Sequence, residues 1–100
     1  MNIDIKAVHF TQDDENKEYK EYLNRKIASR LPNIENMIID LLFTLTKDKD
    51  YTVEAKVNFR WGVSVHLKES DFELNAAIDK LVDKLDAKII KEKEKVSEKR

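Results

Sequence analysis

Residues Ser70 to Lys95 decide the fold, because they predict one long helix: S-D-F-E-L-N-A-A-I-D-K-L-V-D-K-L-D-A-K-I-I-K-E-K-E-K. Ser70 and Glu73 have the spacing of a capping box, in which each side chain bonds the backbone N–H of the other residue. Neither glycine nor proline interrupts residues 71–95, and strong helix formers dominate them. At about 100° per residue, one face is apolar: Leu74, Ala77, Ile78, Leu81, Val82, Leu85 and Ile89.

The charged side chains of this predicted helix separate by sign. The basic ones fall within roughly 80° of one another on one flank: Lys80, Lys84, Lys88, Lys91 and Lys95. The acidic ones gather on the other flank: Asp79, Asp83, Asp86 and Glu94. Helices that are merely solvated usually interleave the two signs in i,i+4 pairs. The separation indicates a positive ridge, although spacing alone leaves a solvated helix face as the alternative.

The composition is that of one small domain. Of the 100 residues, 41% are hydrophobic and 39% are charged, and the net charge is −1. The balance is −4 over residues 1–79, from 11 basic and 15 acidic side chains, and +3 over residues 80–100, from 8 and 5. The positive charge is thus concentrated near the C-terminus, and local concentration sets the field that a partner experiences.

The sequence contains no cysteine, which excludes disulfides and thiolate chemistry. Its first residues lack the basic and apolar regions of a signal peptide. No apolar run approaches the ~20 residues that a membrane span needs. We therefore expect a cytoplasmic protein with no membrane partner.

The rest of the chain predicts four strands and a first helix. Apolar and polar residues alternate over residues 2–8, 51–60 and 63–68, which predicts half-buried strands. Residues 37–46 predict a central strand with apolar residues on both faces: Ile39, Leu41, Phe43 and Leu45 are predicted to face one way, and Ile38, Leu42 and Thr44 the other. A helix is predicted from about Lys17 to Arg30, capped by Asn16 or a preceding aspartate and ended by Pro32. Trp61-Gly62 predicts a hairpin between the last two strands.

The predicted order is β-α-β-β-β-α. The first crossover allows parallel strands, and the three later strands form an antiparallel meander. The fold class is therefore α+β, a four-stranded mixed sheet with two helices packed on one face. We expect a single domain over residues 1–91. Residues 92–100 are expected to form a charged C-terminal tail, because the Lys-Glu run has nothing to pack against, and the sequence leaves the order of this tail open.

No enzyme is predicted. Gly62 is the only glycine, so no phosphate-cradling loop can form. His9 and His66 are isolated, and no cluster has metal-ligand spacing, so we expect no cofactor, metal or small-molecule substrate. Asp79 and Asp83 lie one turn apart and could act as an acid–base pair, but an exposed acidic flank is the simpler interpretation.

A second basic cluster, Arg25, Lys26 and Arg30, lies on the predicted first helix. Two helices side by side could form a positive saddle that binds phosphates in a salt-dependent manner. Lysines supply charge rather than base readout, so a structured RNA fits better than a specific sequence. Trp61 could stack on a base, or it could cap the sheet edge.

The predicted last helix also resembles a known family. Residues 73–79 (E-L-N-A-A-I-D), 83–85 (D-K-L) and 88–95 (K-I-I-K-E-K-E-K) are similar to the D-[ML]-Y-x-A-I-D…DKLxxQ[IL]xKxKxK signature of ribosome hibernation promoting factors, formerly sigma-54 modulation proteins. The first residues, Met1-Asn2-Ile3, resemble the opening strand of that family. Lys20-Glu21-Tyr22-Leu23 with Lys26-Ile27 resembles its first helix, and Tyr51-Thr52-Val53-Glu54 its third strand.

This resemblance implies a domain like the double-stranded-RNA-binding fold. It implies binding to the 16S rRNA of the small ribosomal subunit and of the 70S ribosome, in the cleft for mRNA and tRNA. Such binding blocks translation and preserves idle ribosomes. The implied rRNA-contact residues are Lys84, Lys88, Lys91, Lys93 and Lys95 in the last helix, with Lys20 and Lys26 in the first. The charge pattern adds Lys80, Arg25 and Arg30.

The sequence departs from the family pattern at several positions. Asn75 replaces the tyrosine of the signature, and Lys88 replaces a common glutamine. Ala87 and Ile90 stand where basic residues are frequent, and Glu92 and Glu94 interrupt the lysines. The chain resembles the short form of the family, which implies that pairing of 70S particles into 100S dimers needs a separate factor or does not occur. The alternative is a small protein-interaction module that does not bind ribosomes.

Overall fold

The computed structural model describes residues 1–31 and 34–98. The elements follow in the order β1 (Asn2–Val8), α1 (Gln12–Glu15), α2 (Tyr19–Arg30), a 3-10 turn (Ile34–Asn36), β2 (Ile38–Lys47), β3 (Tyr51–Phe59), β4 (Ser64–Asp71) and α3 (Leu74–Glu98). The predicted β-α-β-β-β-α order is confirmed, with α1 as a short addition. Pro32, which was predicted to end the first helix, lies outside the described residues, and α2 ends at Arg30.

The four strands form one mixed sheet in the order β1-β2-β3-β4. β1 pairs with β2 in parallel, whereas β2, β3 and β4 pair antiparallel, as the crossover and the meander predicted. α3 contacts β3, β4 and α2, and the two long helices cover one face of the sheet. Gly62 lies in the hairpin between β3 and β4 with a φ of +87°, a conformation that glycine adopts without strain.

The core lies between the sheet and the two long helices. Every predicted apolar residue of α3 is buried, with at most 4% of its surface exposed: Leu74, Ala77, Ile78, Leu81, Val82, Leu85 and Ile89. Leu23 and Ile27 of α2 and Phe43 of β2 join the same core. The 3.6-residue periodicity of α3 therefore predicted its buried face correctly.

The predicted orientation of the β2 side chains is wrong at its first residues. A bulge between Ile38 and Asp40 shifts the register against β3. Because a bulge adds one residue, it reverses the facing of the residues before it. Ile38 is fully buried as a result, whereas Ile39 is 45% exposed and does not share the face of Leu41.

The predicted caps of both long helices are also wrong. Ser70 belongs to β4, and Asp71 instead accepts a hydrogen bond from the backbone N–H of Glu73 through Oδ1, at 2.9 Å. The Asp71 carboxylate thus takes the part that the capping box assigned to the Ser70 hydroxyl. Asp, like Ser, readily accepts a hydrogen bond from the backbone N–H two residues further on. Asn16 ends α1, and α2 begins after Glu18, which has a φ of +53° and makes no side-chain cap.

The segment predicted as a tail continues α3. The helix extends through Glu98, and Glu92 is buried, with 5% of its surface exposed. This differs from the expectation that nothing packs after Lys91, because Glu92 lies on the same face as Leu85 and Ile89 and is covered there. Residues 99 and 100 of the predicted tail lie outside the described residues.

Candidate nucleic-acid interface

The acidic flank of α3 faces α2. Asp79 Oδ1 lies 3.2 Å from the Lys26 ammonium and accepts a hydrogen bond of 2.7 Å from the Tyr22 hydroxyl. The Arg30 guanidinium lies 2.7 Å from Asp83 and 3.7 Å from Asp86. Hydrogen bonding to Asp79 raises the pKa of Lys26 and is also the main cause of the raised pKa of Tyr22. Lys26 and Arg30 therefore connect the two helices.

The basic flank of α3 lies along β4. Lys80 Nζ is 2.7 Å from Asp71, and Lys84 Nζ is 3.2 Å from Glu69. Both lysines also reach backbone carbonyls of β4, at Ser70 and Lys68 respectively, with distances of 3.4 and 3.3 Å. These two lysines thus occupy the edge of β4, and two acidic side chains offset their charge.

The last turns of α3 hold a third group of ion pairs. Lys88 Nζ and Lys95 Nζ each lie 3.4 Å from the same oxygen of Glu92. Burial alone would raise the pKa of Glu92, but the hydrogen bonds and charges of the two lysines outweigh burial and lower it. Glu92 is therefore a buried carboxylate that two ammonium groups stabilise.

The remaining candidates carry uncompensated charge. Within residues 1–31 and 34–98, four of them are exposed and have no carboxylate within 4.0 Å: Lys20, Arg25, Lys91 and Lys93. Two lie on α2 and two on α3. Six of the ten predicted rRNA-contact residues, by contrast, have an acidic partner within the chain: Lys26, Arg30, Lys80, Lys84, Lys88 and Lys95.

Ion pairs interrupt the positive saddle that the two helices could form. Ion pairs between α2 and α3 fill the space where Lys26 and Arg30 were expected to add positive charge. The helix spacing predicted the sign of each flank of α3 correctly. It could not predict that α2 and β4 each present residues of the opposite sign, since those contacts join residues far apart in the sequence.

Trp61 packs within the fold. Its ring stacks on Phe59, with ring centroids 5.0 Å apart and an interplanar angle of 23°. Trp61 also lines a cavity of about 250 Å³ together with Glu92, Lys95 and Val96 of α3. Of the two interpretations of Trp61, capping of the sheet edge therefore agrees with the structure.

The sequence interpretation missed Glu92 as a residue that organises the site. The signal was present, because Lys88, Glu92 and Lys95 have the i,i+4 and i,i+3 spacings of helical ion pairs. What the sequence did not reveal was the burial of Glu92, which depends on contact with the hairpin that carries Trp61.

Neither a metal-binding cluster nor a membrane-spanning helix is found among the described residues. Among the described residues, no group of three or more His, Cys, Asp or Glu side chains could hold a metal ion. None of the helices in residues 1–31 and 34–98 combines the length and apolarity that crossing a bilayer requires. His66 lies exposed on the open face of the sheet, with Nε2 3.6 Å from Glu54.

Comparisons with known proteins agree with this architecture. The model of a family described as "Sigma 54 modulation protein / S30EA ribosomal protein" matches residues 3–97. The structure of a ribosomal subunit interface protein from Coxiella burnetii has a TM-score of 0.75 at 19% identity, over 93% of this chain and 98% of that chain. The N-terminal domain of Thermus thermophilus Protein Y has a TM-score of 0.66 at 24% identity, over 89% of this chain and 96% of that chain. No curated protein matches the sequence.

Proposed function

This chain belongs to the sigma 54 modulation protein / S30EA ribosomal protein family, and we propose that it is a non-enzymatic hibernation factor that binds the small ribosomal subunit. In this proposal it binds 16S rRNA in the cleft for mRNA and tRNA, excludes both, and stabilises idle ribosomes in the cytoplasm. The family match over residues 3–97 is the observation that carries the proposal.

The charge distribution supports contact with RNA through both long helices. Lys20 and Arg25 on α2, and Lys91 and Lys93 on α3, are exposed cations whose charge no described carboxylate offsets. Each such cation that neutralises an rRNA phosphate releases counterions condensed on the RNA, and the entropy of that release favours binding. We propose these four as the primary phosphate contacts, and the six paired residues as contacts that first require exchange of an internal partner.

The proposed function requires only that the protein occupy the cleft, because the exclusion of tRNA and mRNA makes and breaks no covalent bond. The long dimension of the described molecule is 50 Å, and its other two dimensions are 21 and 20 Å. A body of this size in the cleft would exclude tRNA and mRNA by steric overlap. The two helices supply the electrostatic part of the binding, which positions the body without reading base sequence.

The test is co-sedimentation of the purified protein with ribosomes on sucrose gradients at low and high salt. We expect migration with 30S and 70S particles at a ratio close to one, with release at high salt. Protein that stays at the top of the gradient at both salt concentrations would contradict the proposal. It would favour the alternative, a protein-interaction module whose binding depends little on salt.

A further inference from the structure

The last turns of α3 lie beside the hairpin between β3 and β4. Residues 91–98 are K-E-K-E-K-V-S-E, a run with one apolar residue that would fray as an isolated helix end. In the structure these residues are helical, and Trp61, Val63, Glu92, Lys95 and Val96 line a common cavity of about 250 Å³. The indole N–H of Trp61 is buried and has no hydrogen-bond partner among the residues that the structure describes.

Glu92 occupies the position on this face where an apolar residue would ordinarily pack. A carboxylate that is only 5% exposed is costly to bury unless it is paired. Lys88 and Lys95 both pair with it, one from the turn before and one from the turn after. The two ion pairs link residues 88–95 of α3 beside the hairpin that carries Trp61.

We propose that Glu92, together with Trp61, is a positioning residue that holds the end of α3 helical before RNA binds, so that Lys91 and Lys93 are presented at fixed positions. The proposal rests on the proposed function, because it assigns these lysines to rRNA phosphates. A pre-ordered array loses less conformational entropy on binding than a frayed one, which strengthens binding without any new contact.

The direction in which one substitution changes ribosome affinity distinguishes a positioning role of Glu92 from an effect of its charge alone. Glu92→Gln removes a negative charge beside the lysines, so charge alone predicts tighter binding to ribosomes. Positioning predicts binding weaker by about tenfold, because the amide no longer holds two ammonium groups and adds unpartnered N–H donors to a buried position. Glu94→Gln is the matched control, since Glu94 is exposed and the change in net charge is the same. We expect Glu94→Gln to bind as tightly as the wild type or more tightly.

A second variant keeps the proposal falsifiable if Glu92→Gln perturbs the whole fold. Glu92→Leu places an apolar side chain on the apolar face and also removes the charge, while the Lys88 and Lys95 side chains, 29% and 54% exposed, can turn their ammonium groups to solvent. We expect Glu92→Leu to keep the helix end ordered and to bind at least as well as the wild type. Equal affinities for the Gln and Leu variants would overturn the positioning role.

The order of the helix end is measured separately from ribosome binding. Trp61 is the only tryptophan, so its fluorescence reports on the hairpin contact, and far-UV circular dichroism reports on the last helical turns. We expect Glu92→Gln to lose helical signal and to shift Trp61 emission to the red, whereas Glu94→Gln changes neither. If neither signal changes in Glu92→Gln, the positioning proposal is wrong. If the wild type fails to bind ribosomes while both signals respond, the proposed function is wrong instead.

Discussion

Asp14 is the residue on which the N-terminal part of the fold depends most. It is 4% exposed, and it accepts hydrogen bonds from the Tyr51 hydroxyl and, at 3.0 Å each, from the backbone N–H and the hydroxyl of Thr11. Lys17 in turn donates to the Tyr51 oxygen at 2.8 Å. The Tyr51 hydrogen bond is the largest cause that lowers the pKa of Asp14 from its ordinary value of 3.8. The carboxylate thus connects α1 to β3.

We predict that Asp14→Asn lowers the free energy of unfolding by about 1 to 3 kcal/mol at pH 7, because the amide leaves a buried hydrogen-bond donor without a partner. Since the pKa is lower in the folded state, the carboxylate stabilises the fold above pH 3.8, and this contribution is lost as the pH falls through the folded-state pKa. Urea unfolding at pH 7 and below pH 3.8 measures both effects. Asp13→Asn, in the same short helix but exposed, is the control and should change little.

The first turn of α3 depends on Asp71 rather than Ser70. Because Asp71 accepts the Glu73 N–H and also pairs with Lys80, we predict that Asp71→Ala lowers the melting temperature by several degrees. Ser70→Ala, at the position that the capping-box pattern indicated, should leave the melting temperature unchanged. Differential scanning calorimetry compares the two, and an equal loss in both variants would support the capping box.

The two sides of α2 are predicted to differ in function. Lys20 and Arg25 are exposed and have no carboxylate within 4.0 Å in the described residues, whereas Lys26 and Arg30 pair with α3. Replacing either pair by alanine removes two charges, so the change in net charge is matched. We expect the Lys20/Arg25 double variant to lose more ribosome affinity and to reduce the salt slope by about 2. The Lys26/Arg30 variant should instead lose stability first, which thermal unfolding detects.

The elements themselves could be predicted because their signals are local. Alternation in β3 and the seven-residue apolar face of α3 need only neighbouring residues, and both agree with the structure. The bulge after Ile38 could not be predicted, since it depends on pairing with β3. The ion-pair partners Glu69 and Asp71 could not be predicted either, because β4 and α3 meet only in the folded chain. Ion pairs between residues far apart in the sequence thus determine how many of the candidate side chains lack a carboxylate partner.

The charge state of the whole molecule yields the most general prediction. The net charge is −1, and six of the ten candidate contacts are paired inside the chain, so the net charge of the molecule would contribute little attraction to RNA. If only the four unpaired cations contact phosphates, the logarithm of the affinity should fall with the logarithm of the salt concentration with a slope of about −4. If all ten engage, the internal ion pairs must open, and the slope should approach about −9.

The measurement is ribosome affinity over a series of monovalent salt concentrations at fixed Mg²⁺. A slope of about −4 means that the folded charge pattern is retained in the complex. In that case Glu69→Gln, which frees Lys84 from its partner, should steepen the slope by about 1 and tighten binding at low salt. A slope near about −9 in the wild type would show that the complex uses the paired lysines as well. Glu69→Gln should then leave the slope unchanged and tighten binding at every salt concentration, because an internal partner no longer has to be displaced.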